Sequence, residues 1–183
     1  MKTYFAFLRG INVSGQKMIK MEDLIKALNE LHFGNIRTYI QSGNIIFQHD
    51  KTDLLLLAEK IAGKISERFG FAVPVVIRTF TELDDLSKKN PFFLMGNKDL
   101  SRLHVTMLAE VPDPDKVIKI EKGPYLPDEF FFSGKEVYLY CPNGYGRTKL
   151  TNTFFENKLK TTATTRNWKT IQALQHPTLS HLP

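Results

Sequence analysis

Residues 36–48 read IRTYIQSGNIIFQ. Two short runs rich in β-branched and aromatic residues, 36–41 and 45–48, flank Ser42-Gly43-Asn44, where Gly and Asn tolerate the positive φ of a tight turn. The stretch is a hairpin, and its flanks decide what kind. Upstream, 3–9 alternates as a strand and leads through a polar loop, 10–20, into a helix whose Leu24, Ala27, Leu28 and Leu31 recur at i, i+3, i+4, i+7, with Gly34 at the expected stop. Downstream, Leu54, Leu57, Ala58, Ile61 and Ile65 mark a second helix ending near Gly70, and 73–80 is a strand. Strand, helix, hairpin, helix, strand is the split βαβ, or ferredoxin-like, order. A short helix over 81–88 follows, and Asn90-Pro91 breaks it, closing a first half at 1–90.

The second half, 91–183, starts again with a strand over 102–111. Pro112, Pro114, Pro124 and Pro127 punctuate the next segment and leave room for one helix over 115–121. A second hairpin, 129–132 and 136–140, turns at Ser133-Gly134-Lys135 and echoes the first. Leu150, Phe154 and Leu159 define a helix, and Trp168, Ile171 and Leu174 a last one running from about 166 to 175. The sequence thus predicts an α+β chain of two tandem ferredoxin-like halves. The second copy is degenerate, closed by a C-terminal helix where the first has its fourth strand.

With 42% hydrophobic and 24% charged residues the chain can bury a substantial core. A single cysteine, Cys141, excludes an internal disulfide framework and any paired CxxC zinc site, and it favours a reducing compartment, so a cytoplasmic location is expected. The longest apolar run, 54–58, is far below the roughly 20 residues of a bilayer span, so no membrane partner is expected. His32, His49, His104, His176 and His181 lack metal-ligand spacing, and no metal or other cofactor is implied. The net charge is +6, and between 143 and 169 six basic residues face one acid, Glu156. A concentrated positive region attracts anionic partners without choosing among them.

Three polar segments are candidates for the site. In a split βαβ the end of the first strand, the loop after it and the hairpin turn share one sheet edge, which gathers Arg9, Asn12 and Lys17 near Ser42, Gly43 and Asn44. Gly10 and Gly15 could let backbone amides approach an anion, or could merely shape a connection while Asn12 satisfies backbone groups. Neither the Walker nor the GxGxxG spacing is present. Residues 143–149, NGYGRTK, combine glycines with Arg147 and Lys149 ahead of a helix whose dipole would favour an anion; the bland alternative is that Thr148 caps the helix and the charges are solvated. In 161–168, TTATTRNW, Arg166 and Asn167 fall at the start of the last helix, where a cation opposes the macrodipole and calls for a partner.

The runs 7–13 (FLRGINV), 38–44 (TYIQSGN) and 163–168 (ATTRNW) together resemble the bacterial domain-of-unknown-function family 1697, and 146–150 (GRTKL) resembles its further basic element. Ser14 stands where that family usually has a second glycine. The resemblance covers essentially the whole chain and implies one cytoplasmic unit, but no reaction.

The residues therefore point to binding of a phosphate-bearing partner, a nucleotide or a single-stranded nucleic acid, in a basic cleft between the halves. Arg9, Asn12, Lys17, Ser42, Asn44, Arg147, Lys149, Arg166 and Asn167 are its candidate contacts. The alternative is an enzyme acting on a phosphorylated or carboxylated small molecule, with Ser42, Asn44 or Asn152 orienting the substrate; it ranks second because no His or carboxylate sits within the three motifs.

Overall fold

The structure, a computed structural model, describes residues 1–50, 53–96 and 98–176; His181 lies outside them. The chain forms two compact units. One comprises Met1–Asp84 with residues 174–176, the other Asp85–Ala173.

In the first unit the order is β1 (Lys2–Leu8), α1 (Met21–Asn29), β2 (Gly34–Tyr39), β3 (Asn44–His49), α2 (Leu54–Phe69), β4 (Val75–Thr79) and α3 (Phe80–Lys88), whose second half belongs to the other unit. All strand pairs are antiparallel, in the order β2-β3-β1-β4. The alternation of β1 sends Tyr4, Ala6 and Leu8 to one face, where they meet Ile45, Phe47, Val75 and Ile77 of the sheet and Leu24, Leu28, Leu57, Ile61 and Ile65 of α1 and α2. Each Leu, Ile, Val or Phe among them contributes roughly 1.5–3 kcal/mol when fully buried. The opposite face, with Phe5, Phe7, Ile46, Val76 and Arg78, is buried as well, so the sheet is covered on both sides.

Helix α2 is delimited as its sequence suggests. The Asp53 carboxylate accepts from the Leu56 amide, and Gly70, at φ 78°, donates its amide to the Ser66 carbonyl. Helix α1 ends earlier than expected. It stops at Asn29, a turn through Glu30, Leu31 and His32 follows, and Gly34 is already the first residue of β2. Leu31 keeps its core contact from that turn, which is why the apolar spacing overshoots the helix.

The second unit repeats the sequence of elements: β5 (Leu103–Leu108), α4 (Pro114–Glu121), β6 (Glu129–Ser133), β7 (Glu136–Tyr140), α5 (Asn152–Leu159), β8 (Ala163–Asn167) and α6 (Trp168–Gln175). Its sheet order is β6-β7-β5-β8, again antiparallel throughout. This corrects the expected helix over 166–175. Residues 163–167 are a fourth strand, paired with β5 from Leu108↔Ala163 to His104↔Asn167, and the helix begins only at Trp168. The β-branched Thr164 and Thr165 suit a strand, and the open side of β5 supplies the hydrogen-bond partners that no local pattern reveals. The second copy is therefore not shortened: β8 and α6 stand to β5 as β4 and α3 stand to β1. From the end of α6, Gln175 Nε2 donates to the Leu83 carbonyl at 2.6 Å, and both residues belong to the first unit.

Among the described residues no helix is long and apolar enough to cross a membrane.

Candidate functional site

In the first unit the loop after β1 is fastened by Asn12. Its Oδ1 accepts from the Ile19 amide at 2.8 Å, and its Nδ2 donates to the carbonyls of Ile19 (2.9 Å) and Gln41 (2.8 Å). Both amide hydrogens and the oxygen are thus engaged, and the third bond ties the loop to the β2–β3 turn. Within the loop, Gln16 donates to the Val13 carbonyl at 2.9 Å and Asn12 to the Lys17 carbonyl at 3.2 Å, while Ser14 and Gly15 have φ of 50° and 73°. Two consecutive positive φ values across a two-residue connection are those of a type I′ hairpin turn. The amides of Asn12, Gln16 and Ile19 are spent inside the loop.

The neighbouring turn has side-chain fastenings as well. Asn44, buried, donates Nδ2 to the Tyr39 carbonyl and to Ser42 Oγ. Gly43, at φ 77°, lets the turn approach β1: a Cβ there would lie 2.7 Å from Leu8 Cβ, and its carbonyl accepts the Leu8 amide at 2.8 Å. Exposed Lys17 donates Nζ to the Ala72 carbonyl at 2.7 Å, and Arg9, half-buried, donates its amide to Pro74.

In the second unit Arg147 and Lys149 are exposed on the loop between β7 and α5. Helix α5 begins at Asn152, and its cap is Thr151, whose hydroxyl accepts the Phe154 amide at 3.2 Å. The expected Thr148 cap is corrected accordingly, because the cap falls three residues later. Thr148 instead donates Oγ1 to Asp128 Oδ2 at 2.6 Å and accepts the Leu150 amide, pinning the basic loop against the segment before β6. Between them lies a cavity of about 100 Å³, lined by Tyr125, Asp128, Asn143, Arg147 and Lys149 among others. Among the described residues no carboxylate forms an ion pair with Arg147 or Lys149.

Arg166 and Asn167 have other tasks. Arg166 lies on β8, buried, and its Nη1 donates to Thr164 Oγ1 at 2.8 Å and to the Thr165 carbonyl at 2.9 Å. Burial pulls its guanidinium down to about 10, still a cation at neutral pH. Asn167 caps α6 by accepting the Thr170 amide at 2.8 Å.

Next to them is a network that the sequence did not announce. Thr165 Oγ1 donates to Asn152 Oδ1 at 2.6 Å, and it lies 3.0 Å from Tyr145 Oη and 2.7 Å from Thr106 Oγ1. A hydroxyl has one hydrogen and two lone pairs, so Thr165 donates to Asn152 and accepts from Tyr145 and Thr106. His104 stacks on Tyr145 with ring centroids 5.0 Å apart, and burial lowers its pKa, which keeps the imidazole neutral at pH 7. The alternation of β5 puts His104 and Thr106 on one face, a signal available in the sequence; that Tyr145 and Asn152 come to meet them is a matter of tertiary packing.

A second cavity of about 130 Å³ is lined by Lys116, Lys119 and Ile120 of α4, Lys158 of α5, and Tyr125. The i, i+3 spacing of Lys116 and Lys119 is visible in the sequence; their convergence with Lys158 is not.

Among the described residues, two four-stranded antiparallel sheets and six helices define the class, a mixed α+β protein built from two units of the same strand order. The chain belongs to the family described as "Protein of unknown function (DUF1697)", whose profile matches residues 1–138. It is similar in fold to a solved structure described as that of the conserved bacterial protein SP0830 from Streptococcus pneumoniae. The TM-score is 0.74 at 22% sequence identity, over 95% of this chain and 97% of that one. No protein with a curated description matches.

Proposed function

We propose that this protein binds a phosphate-bearing partner, a nucleotide or a single-stranded nucleic acid, with Arg147 and Lys149 as the principal contacts. The reading treats both units as ferredoxin-like, which the shared strand orders β2-β3-β1-β4 and β6-β7-β5-β8 support. The observation that carries it is the cavity beside the basic loop. Two cations line it without a carboxylate partner among the described residues, while Asp128, the one acid of the lining, is held by Thr148. A cavity of about 100 Å³ is in the size class of one phosphate group rather than of a whole nucleotide, so base and sugar would lie outside it. Of the other candidates, Asn12, Asn44 and Asn167 make side-chain hydrogen bonds to the backbone, and Arg166 is buried on β8.

The test is anisotropy of a labelled oligonucleotide, titrated with protein at several salt concentrations. Binding should weaken steeply as salt rises, and Arg147→Gln with Lys149→Gln should weaken it at least tenfold with unchanged thermal stability, since both side chains are exposed. Absence of binding to any oligonucleotide or nucleotide at low salt would reject the reading.

One observation favours the enzymatic alternative. His104, the only imidazole of the second unit, is neutral and stacked on Tyr145, and it could serve as the base that the sequence motifs lack. Turnover of a phosphorylated or carboxylated metabolite that disappears in His104→Gln would establish it.

A further inference from the structure

We infer that the anion site continues past Tyr125 into the lysine-lined cavity, and that its ligand is a strand carrying successive phosphates, a single-stranded nucleic acid. This rests on the reading above and narrows it. Tyr125 lines both cavities, so the two are neighbours on one surface of the second unit. The first presents Arg147 and Lys149; the second presents Lys116, Lys119 and Lys158, none of which pairs with a carboxylate among the described residues. Three ammonium groups around about 130 Å³ repel one another, and no acid contributes to that lining. A mononucleotide with its phosphate at Arg147 and Lys149 occupies only the first of these cavities. A chain with a phosphate at each nucleotide satisfies both.

The residue between the cavities suits such a ligand. Tyr125 is half-buried, and its ring is held edge-to-face against Phe130 and Phe154, with centroids 5.5 Å away in each case. Below it lies Gly123, where a Cβ would come within 2.3 Å of Tyr125 Cε2; no other residue could occupy that position without displacing the ring. A fixed aromatic ring between two cationic cavities offers a stacking surface for a base whose flanking phosphates are held on either side. Stacking tolerates any base, so the expected binding is strong in charge and weak in sequence preference.

The experiment compares four probes on the full chain: a labelled thymidine dodecamer, the mononucleotide, inorganic phosphate and inorganic polyphosphate. If all five cations contact the strand, log K against log salt should have a slope of about −3.5 for the dodecamer. Lys116→Gln, Lys119→Gln and Lys158→Gln combined should flatten that slope by about 2 and leave mononucleotide affinity unchanged. Tyr125→Ala should cost the dodecamer about tenfold to a hundredfold while sparing polyphosphate, and Tyr125→Phe, which keeps the ring, should bind like the parent. A dodecamer that binds equally well to the triple variant overturns the extended track and leaves the Arg147–Lys149 site standing. If polyphosphate binds as tightly as the dodecamer and Tyr125→Ala weakens neither, the ligand is a bare polyanion and the nucleic-acid assignment is overturned. If no probe binds the parent protein, both readings fall together.

Discussion

Arg78 and Arg166 hold the same place in the two units. Each is the fourth residue of its unit's last strand, paired with Phe5 of β1 or Val105 of β5, and each is buried. Each is followed by a polar residue that caps the next helix: Thr79 Oγ1 accepts the Glu82 amide, and Asn167 Oδ1 the Thr170 amide. A buried guanidinium surrounded by hydroxyl and carbonyl acceptors is a structural member. Arg166→Ala should therefore lower stability by about 2–4 kcal/mol in urea unfolding, from the lost hydrogen bonds and the space left behind. An unchanged unfolding midpoint would show that Arg166 carries no structural role.

The Thr165 hydroxyl is the hub of its network, since it satisfies three other side chains at once. Thr165→Val keeps the shape and removes every partner, so Asn152, Tyr145 and Thr106 each lose a bond. The expected cost is about 2–3 kcal/mol, against about 1 kcal/mol for Tyr145→Phe, which removes a single donor. Thermal unfolding of the two variants side by side would decide; equal effects would mean that the network is not centred on Thr165.

Asn12 supports the loop between β1 and α1 by three hydrogen bonds and sits at φ 53°, in a region that Asn tolerates better than Ala. Asn12→Ala should cost about 2 kcal/mol or more and free the buried Ile19 amide. Hydrogen exchange at Ile19 is the direct measurement, and it should accelerate far more than exchange in α2. Ser14→Gly, by contrast, relieves a left-handed Ser in the same turn and should be neutral or mildly stabilising.

Cys141 is fully buried, and its burial pushes the thiol up from 9.0 to about 11. A raised pKa means that the folded state retains the proton that the unfolded state has released. Its contribution to stability is present below pH 9 and is lost as pH climbs from about 9 to about 11. Cys141→Ala should remove part of the alkaline loss of stability in that window, and the native thiol should resist a disulfide reagent at pH 8 until the protein is unfolded. Rapid labelling of the native protein would contradict the burial.

Local patterns were enough for most of the scaffold. The period of Leu24, Ala27 and Leu28, the stop at Gly70 and the turns at Gly43 and Gly134 depend on neighbours a few residues away, so the sequence carries them openly. It also displayed the repeat, because both hairpins use the same turn chemistry. Three decisions belonged to the tertiary structure. Residues 163–167 are a strand because β5 offers an open edge, and no local preference can report on an edge formed some 60 residues away. Asn12 and Asn44 are fasteners because the carbonyls they bond, Gln41 and Tyr39 among them, are brought to them by the fold. The cationic cavities exist because α4, α5 and two loops set Lys116, Lys119, Lys158, Arg147 and Lys149 around Tyr125. A sequence counts charges along the chain, whereas electrostatic attraction acts through space, and only folding turns the one distribution into the other.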